Sequence, residues 1–289
     1  MSVSAIRSRV YNKRAITSGA RAFLGYFLLM SIACVFVGPF FWMVSSSLKS
    51  EPEIFIIPIR WLPEKLVWRN YVDVVTRLPF GLFVFNSFKL ALLSTLGTLL
   101  SCSLAAYAFA RLQFLGSHVL FMILLATMMI PGEVTLIPVF LIMKGLGLLN
   151  THEALYLPSF FGGAYGTFLL RQFFLTLPSE LDDAALIDGC GRFGIYLRIY
   201  LPLSKPALAT LAVFRFMGAW NDLLGPVIYL NETEKFTLAV GLTYFRGYYS
   251  TDWALLMAAC VIAVIPIIVI YVLAQKYFVQ GIALTGLKG

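Results

Sequence analysis

Residues 254–275 read ALLMAACVIAVIPIIVIYVLAQ, an apolar stretch without a charged side chain. A helix of about 20 apolar residues crosses the ~30 Å hydrocarbon layer of a bilayer. Five other apolar stretches have a similar length: residues 23–44, 86–110, 119–143, 154–175 and 207–230. Because every backbone polar group inside lipid needs an internal partner, all six are predicted to be helices. The predicted fold class is therefore an all-α integral membrane protein with six transmembrane helices.

The composition also favours a membrane environment. Of the 289 residues, 60% are hydrophobic and 12% are charged, whereas about a quarter of the residues in a typical soluble domain are charged. The net charge of +8 does not predict nucleic-acid binding, because residues 1–22 carry five cations and no acid directly before an apolar stretch, as in a membrane orientation signal. The four cysteines show no metal-ligand spacing, so no metal site is expected.

The basic start of the chain predicts its orientation. Lysine and arginine next to membrane spans are enriched on the cytoplasmic side, and the first acid in the chain is Glu51. With six spans, both termini are then expected in the cytoplasm. A basic start could also belong to a signal peptide, but residues 23–44 are longer than the apolar region of such a peptide.

The segments between the spans give the expected organisation. Residues 1–22 form a cytoplasmic N-terminal segment, residues 23–44 the first transmembrane helix, and residues 45–85 an ordered extracytoplasmic loop. Residues 86–280 form the transmembrane core, and residues 281–289 a cytoplasmic C-terminal tail. Prolines are expected to interrupt several spans. They are Pro131, Pro138, Pro158, Pro226 and Pro266.

Residues 178–206 form the long cytoplasmic loop of this core and read PSELDDAALIDGCGRFGIYLRIYLPLSKP. Ser179 followed by Asp182 fits a capping box at the start of a short helix. Gly189 is expected to end that helix with a positive φ. A second short helix is expected over residues 192–200, ended by the prolines that follow. The loop is therefore predicted to be a cytoplasmic helix-turn-helix.

The first helix of this loop is expected to present small side chains to a partner. Residues three and four apart lie on one helix face, and small alanines would let that face enter a cleft in another protein. The residues that share the face by spacing are Leu181, Ala184, Ala185 and Asp188.

The loop resembles that of the membrane subunits of binding-protein-dependent ABC importers. The family loop has Glu-Ala-Ala, three residues, Gly, nine residues, and then Ile-x-Leu-Pro. Here the same spacing holds for Asp183-Ala184-Ala185, Gly189 and Ile199-Tyr200-Leu201-Pro202, with Asp183 one methylene shorter than the family's Glu. The resemblance implies that the loop contacts ATPase subunits. The expected coupling residues are Glu180, Asp183, Ala184, Ala185, Asp188, Gly189, Ile199, Leu201 and Pro202.

The resemblance extends over most of residues 80–289. Residues 220–226, WNDLLGP, look like the family's Trp-Asn-Asp-Phe-Leu-x-Pro segment, and residues 168–174 and 281–289 are similar to the maltose-permease branch of carbohydrate importers. This implies carbohydrate uptake across the cytoplasmic membrane of a bacterium or archaeon. The implied partners are a sister permease, two ATPase subunits that bind ATP and Mg, and an external solute-binding protein. Gly286, Lys288 and Gly289 of the tail are expected to touch the ATPase subunits.

No catalysis or cofactor is expected on this chain. It lacks the Gly-x-x-x-x-Gly-Lys-[Ser/Thr] phosphate loop, so ATP hydrolysis is assigned to partner subunits. A membrane-embedded enzyme would need a cluster of His, Asp or Glu that the sequence does not show. Two alternatives stay open. One is an importer for another polar solute, such as a sugar-alcohol phosphate, and the other is an ion-coupled secondary transporter, although no internal repeat favours it.

Polar side chains inside the predicted spans are candidate pathway residues, because burying ionisable groups in lipid is costly. The candidates are Glu133 in the third span and Arg215, Asn221 and Asp222 in the fifth. They could line the solute path, or they could pair with one another or with the sister subunit. The sequence leaves both alternatives open.

Overall fold

The computed structural model describes residues 3–247 and 250–286, with side chains described for residues 23–247 and 250–276. Over these residues the chain is mostly helical. It divides into two compact units: one contains residues up to 71 together with 252–261, and the other contains the rest.

The helices follow one another with few long connections. They are α1 (Val3–Ser47), α2 (Glu51–Ile54), α3 (Arg69–Arg77), α4 (Phe80–Arg111), α5 (Ser117–Ala126), α6 (Gly132–Gly145), α7 (Glu153–Tyr156), α8 (Ala164–Thr176), α9 (Glu180–Ile187), α10 (Arg192–Ile195), α11 (Leu201–Leu203), α12 (Lys205–Trp220), α13 (Leu224–Tyr229), α14 (Leu238–Thr243) and α15 (Trp253–Gly286). Short 3₁₀ segments occur at Thr127–Met129, Leu157–Phe161 and Thr233–Lys235, and a π-helical turn at Tyr196–Tyr200.

Three helices in the described part of the chain are long and apolar enough to cross a membrane. They are Phe23–Ser47 within α1, α4, and Trp253–Lys276 within α15. The segments Ser117–Met129 and Gly132–Gly145 would make a fourth span, but they meet at a bend of 104°. Three of the six predicted spans are thus continuous helices, while the other three are broken.

Two of the three breaks have a local cause. Pro131 occupies the N-cap of α6 at the 104° bend. The helix is interrupted there because proline has no N–H to donate to the preceding turn. Gly162, with φ of 93°, separates the 3₁₀ segment from α8, and residues 221–223 separate α12 from α13. Pro138 and Pro266, in contrast, lie inside continuous helices, so the interruptions predicted there are absent.

The predicted segment boundaries also shift. α1 begins at Val3, inside the predicted N-terminal segment, and α4 begins at Phe80 rather than at residue 86. Helices α2 and α3 occupy much of the 45–85 loop. α15 continues to Gly286, so most of the predicted tail is helical.

In the first unit, polar side chains order the segment after α1. Lys49 is fully buried, with its ammonium 4.2 Å from the centroid of the Trp42 ring. Asn70 donates from Nδ2 to the backbone oxygens of Ser47 and Lys49, both at 2.9 Å. Glu51 accepts hydrogen bonds from the first N–H groups of α15 at 3.0 and 2.9 Å. These contacts hold the segment after α1 in a defined conformation.

In the second unit, α4 packs against α8, α12 and the 3₁₀ segment 157–161. The approach is close enough to require glycine: a Cβ on Gly97 would lie 2.5 Å from the Phe160 ring. At the start of α4, Asn86 donates to the backbone oxygen of Glu234 at 2.9 Å. His152 lies on the same end, 3.4 Å from the ammonium of Lys89.

The other end of α4 meets a different set of loops. Tyr107 donates from Oη to the backbone oxygen of Arg192 at 3.1 Å, and Arg111 donates to that of Phe174 at 2.8 Å. Four segments of the described chain therefore run between one end of α4 and the other. They are residues 80–111, 117–145, 153–176 and 205–229.

Candidate coupling loop and membrane cavity

α9 begins differently from the sequence prediction. Ser179 has helical φ and ψ and its side chain caps no N–H of α9, so the predicted capping box is absent. Asp182, the other residue of the predicted box, turns inward instead. Its Oδ2 accepts a hydrogen bond from Tyr200 Oη at 2.7 Å and lies 3.7 Å from Arg111 Nε.

The exposed face of α9 matches the one predicted from spacing only in part, because Ala184 and Asp188 are exposed but Leu181 is half-buried and Ala185 is buried. Ala185 is buried in an apolar core with Tyr107, Phe174 and Tyr200, so it supports the helix from beneath. The side chains that face outward are three and four residues apart: Glu180, Asp183, Ala184 and Ile187. Ile187 is 86% exposed. Sequence reasoning missed it, although its spacing from Asp183 and Ala184 was a usable signal.

The turn after α9 agrees with the prediction. Gly189 has φ of 76°, which confirms the expected positive φ, and such a backbone is strained for residues with a side chain. Asp188 is the C-cap of α9 and is exposed.

The second helix is longer than predicted. α10, the π-helical turn and α11 follow without a break to Leu203, and α12 starts at Lys205. Pro202 therefore does not end the helix. The π-helical turn lies directly before Pro202, and in it the Leu201 N–H donates to the Tyr196 backbone oxygen. This wider turn leaves room for the proline ring, which would clash with the preceding turn of a regular α-helix. Ile199 and Leu201 pack partly buried against the core, while Pro202 is exposed.

Arg111, at the end of α4, holds this loop in place. It pairs with Asp182, donates from Nη2 to the backbone oxygens of Phe174 and Leu177, and lies over the Tyr200 ring at 5.2 Å. Burial and the hydrogen bond to Asp182 raise the pKa of Tyr200, so its hydroxyl stays protonated and donates. One guanidinium thus connects α4, the end of α8, α9 and the π-helical turn.

A groove of about 1340 Å³ lies beside the base of α9. Its walls come from the end of α4, the loop to α5 and the first residue of α5, and the starts of α9 and α10. The polar residues that line it include Arg111, Gln113, Ser179, Asp183 and Arg192. The loop therefore offers both a protruding helix and an adjacent polar groove.

A second cavity, of about 430 Å³, lies at the break between the 3₁₀ segment and α8. Arg215 of α12 lines it and donates from Nη2 to Ser159 Oγ at 2.7 Å. Ser159, which is buried, was not expected as a site residue. The structure thus places Arg215 at a cavity between α4, α8 and α12.

The other candidate pathway residues lie outside this cavity lining. Asp222 Oδ1 accepts the N–H of Gly225 at 3.1 Å, so it caps the start of α13, and Asn221 donates to the backbone oxygen of Met217 at 2.9 Å. Glu133 is exposed in the first turn of α6, after the 104° bend. Arg215 and Asp222 do not form an ion pair in the described part of the chain.

The remaining candidates concern the tail and metals. Gly286 is the last residue of α15, and Lys288 and Gly289 lie outside the described residues. Within residues 23–247 and 250–276, no group of three His, Cys, Asp or Glu side chains could hold a metal ion.

Comparison with known proteins identifies the family. Residues 97–284 match the family described as the inner membrane component of binding-protein-dependent transport systems. The sulfoquinovosyl glycerol transport system permease protein of Agrobacterium fabrum is 36% identical over 252 residues, 87% of this chain and 88% of that protein. The arabinooligosaccharides transport system permease protein of Bacillus subtilis is 34% identical over 268 residues, 91% and 94% of the two chains.

A solved structure has the same fold. It is a bacterial ABC transporter involved in the import of the acidic polysaccharide alginate, and one of its chains matches with a TM-score of 0.79 and 25% identity. The match covers 91% of this chain and 98% of that one. These proteins are transport subunits and not enzymes themselves. The resemblance seen in the loop is thereby confirmed, and the chain belongs to the inner membrane components of binding-protein-dependent ABC importers.

Proposed function

We propose that this permease subunit moves a carbohydrate inward after an external solute-binding protein delivers it. The relatives support this substrate class, since their names specify a sulfoquinovosyl glycerol, arabinooligosaccharides and the polysaccharide alginate. An importer for another polar solute, such as a sugar-alcohol phosphate, is the alternative.

The subunit is proposed to cross the membrane six times with both termini in the cytoplasm. The basic, acid-free residues 1–22 support this orientation, and the four segments that run between the ends of α4 support the alternation of sides. The proposed partners are a sister permease, two ATPase subunits that bind ATP and Mg, and the solute-binding protein. Gly286, Lys288 and Gly289 are proposed to reach the ATPase subunits.

The residues 178–206 are proposed to couple the ATPase subunits to the spans. The observation that carries this proposal is the exposed apolar Ile187 on a short helix whose inner face is locked to α4 by Arg111 and Asp182. A partner that grips the outer face would move α9, and the buried contacts would pass that motion to α4 and α8. Glu180, Asp183, Ala184 and Asp188 surround Ile187 at the exposed surface.

The test uses the whole complex, reconstituted in liposomes with its solute-binding protein. Ile187→Asp should abolish uptake and carbohydrate-stimulated ATP hydrolysis, because burying an unpaired charge at the contact costs several kcal/mol. The matched control is Leu146→Asp, which changes an exposed apolar residue at the C-cap of α6. It should retain both activities.

Retention of the ATPase subunits during purification gives the second measurement. Ile187→Asp should lose them while the sister permease stays bound. Wild-type uptake by Ile187→Asp would refute the coupling role, and a wild-type complex that imports no carbohydrate from a broad panel would refute the substrate class.

A further inference from the structure

The cavity beside α8 is lined by groups that attract negative charge. Its residues come from α4, from the break before α8, and from α12, and none of them is acidic. They are Thr98, Pro158, Ser159, Gly162, Gly163, Ala164, Tyr165, Gly166, Leu211, Phe214 and Arg215. The guanidinium of Arg215 is therefore the one formal charge among the lining residues.

This guanidinium has donors left over. Its Nη2 donates to Ser159, but its Nε is buried without a hydrogen-bond partner, and it forms no ion pair with a described carboxylate. Asp222, seven residues later, has Oδ1 engaged by the N–H of Gly225. An arginine inside a membrane protein is costly unless an anion or other acceptor pairs with it. Asp222 acts on Arg215 electrostatically but forms no ion pair or hydrogen bond with it, so the guanidinium keeps donors for an acceptor that enters the cavity.

The backbone beside Arg215 adds to the positive potential. α8 has 13 residues, and no side chain caps its start. The residues of its first turn, Ala164 to Gly166, line the cavity, and the N–H groups of a first helical turn have no partner within the helix. Since a helix N-terminus carries partial positive charge, it reinforces the charge of Arg215.

The hydroxyl of Ser159 completes the polar side of the cavity. It accepts from Arg215, so its own proton can be donated to a ligand. Ser159 is itself positioned from behind, because its backbone oxygen accepts from Ser101 Oγ at 3.1 Å. The half-exposed rings of Tyr165 and Phe214 supply apolar walls, as is usual for small-molecule sites that orient a ligand with few polar groups.

We infer that this cavity receives the anionic group of an acidic carbohydrate, a carboxylate, sulfonate or phosphate, with Arg215 as its charge partner. The planar guanidinium suits such groups because it presents parallel donors to two oxygens. The inference rests on the proposed function and narrows its substrate class. A carboxylate of the sister permease is the competing occupant.

The experiment compares acidic and neutral forms of one carbohydrate in the reconstituted complex. The probes are an oligogalacturonate and its carboxyl-reduced, neutral counterpart, together with a second pair that carries a sugar phosphate or its free sugar. Wild type should import an acidic member in preference to its neutral partner. Arg215→Gln should lower that uptake roughly tenfold or more, as expected for loss of a charge-assisted hydrogen bond, and Arg215→Lys should restore part of it.

Arg171→Gln is the matched control. Arg171 also lies in a helix of this unit, but it donates to the Phe109 backbone oxygen, lies over the Phe121 ring, and does not line the cavity. It should leave the preference for the acidic member unchanged. The retention of the sister permease is measured in each variant.

The outcomes separate the alternatives. Import of neutral but not acidic carbohydrates by wild type would overturn the inference and leave the proposed function standing. Loss of the sister permease from Arg215→Gln, with the acidic preference unchanged in the complexes that remain, would assign Arg215 to the subunit contact and overturn it as well. Failure to import any carbohydrate would refute the proposed function itself.

Discussion

At the scale of single residues, the pair of Arg111 and Asp182 shows how the loop is anchored. Their side chains are 11% and 10% exposed, and Asp182 also accepts from the Tyr200 hydroxyl. Removing one partner of a buried pair leaves the other charge without compensation, which is far more destabilising than replacing both. The ion pair thus fixes the position of α9 together with the Tyr200 hydrogen bond and the burial of Ala185.

A double-mutant cycle tests this contact. Asp182→Ala and Arg111→Met should each lower stability by ~3 kcal/mol or more, while the double variant should cost less than the sum of the two. Tyr200→Phe, which removes one hydrogen-bond donor, should cost about 1 kcal/mol. The measurement is the denaturant or thermal midpoint of the purified complex, together with uptake. Additive effects of the two changes would contradict the pairing.

At the scale of elements, the turn between α9 and α10 sets the direction of the loop. Gly189 has φ of 76°, whereas Gly191 has an ordinary φ of −70°, and a Cβ on either would meet open space. The two glycines therefore differ in backbone conformation and not in crowding, so they form a matched pair for substitution.

Gly189→Val should impair the turn, because a left-handed backbone costs roughly 1–2 kcal/mol for a residue with a Cβ. The expected result is a lower ratio of solute imported to ATP hydrolysed, with normal membrane insertion. Gly191→Val should behave as wild type in the same uptake and ATPase measurements. Equal behaviour of the two variants would show that the left-handed turn is not needed for coupling.

At the scale of the whole molecule, the broken segments decide how often the chain crosses the membrane. The bent pair of 117–129 and 132–145 could cross or could return to the side where it began. The contacts at the two ends of α4 favour a crossing, since the loop after Gly145 reaches His152 beside Lys89.

Single cysteines in a variant without the four native ones test the topology. A cysteine that replaces Leu115 or Arg198 should react with a membrane-impermeant maleimide only from the cytoplasmic side. A cysteine that replaces Lys65 or Thr233 should react only from outside. All four positions are exposed. The basis is the charge of residues 1–22 and an even number of spans. Labelling of positions 115 and 198 from opposite sides would mean that an odd number of crossings separates them.

Much of the fold was accessible from the sequence. The apolar stretches, the basic start and the positive φ at Gly189 depend on local composition and backbone sterics, so residues close in the chain are enough to predict them. The spacing from Asp183 to Pro202 similarly led to the family. The break at Pro131 was also anticipated, whereas Pro138 and Pro266 show that proline alone does not decide whether a membrane helix is interrupted.

The sequence by itself therefore determined the membrane class, the family and the loop that is proposed to contact the ATPase subunits. Only the tertiary structure decided which face of that loop is exposed and which cationic side chain lines a cavity. Ala185 is buried in one apolar cluster with Phe174 and Tyr200, and Arg215 donates to Ser159 of the 3₁₀ segment that precedes α8. Such outcomes depend on contacts between residues far apart in the chain, and helical periodicity carries no information about them.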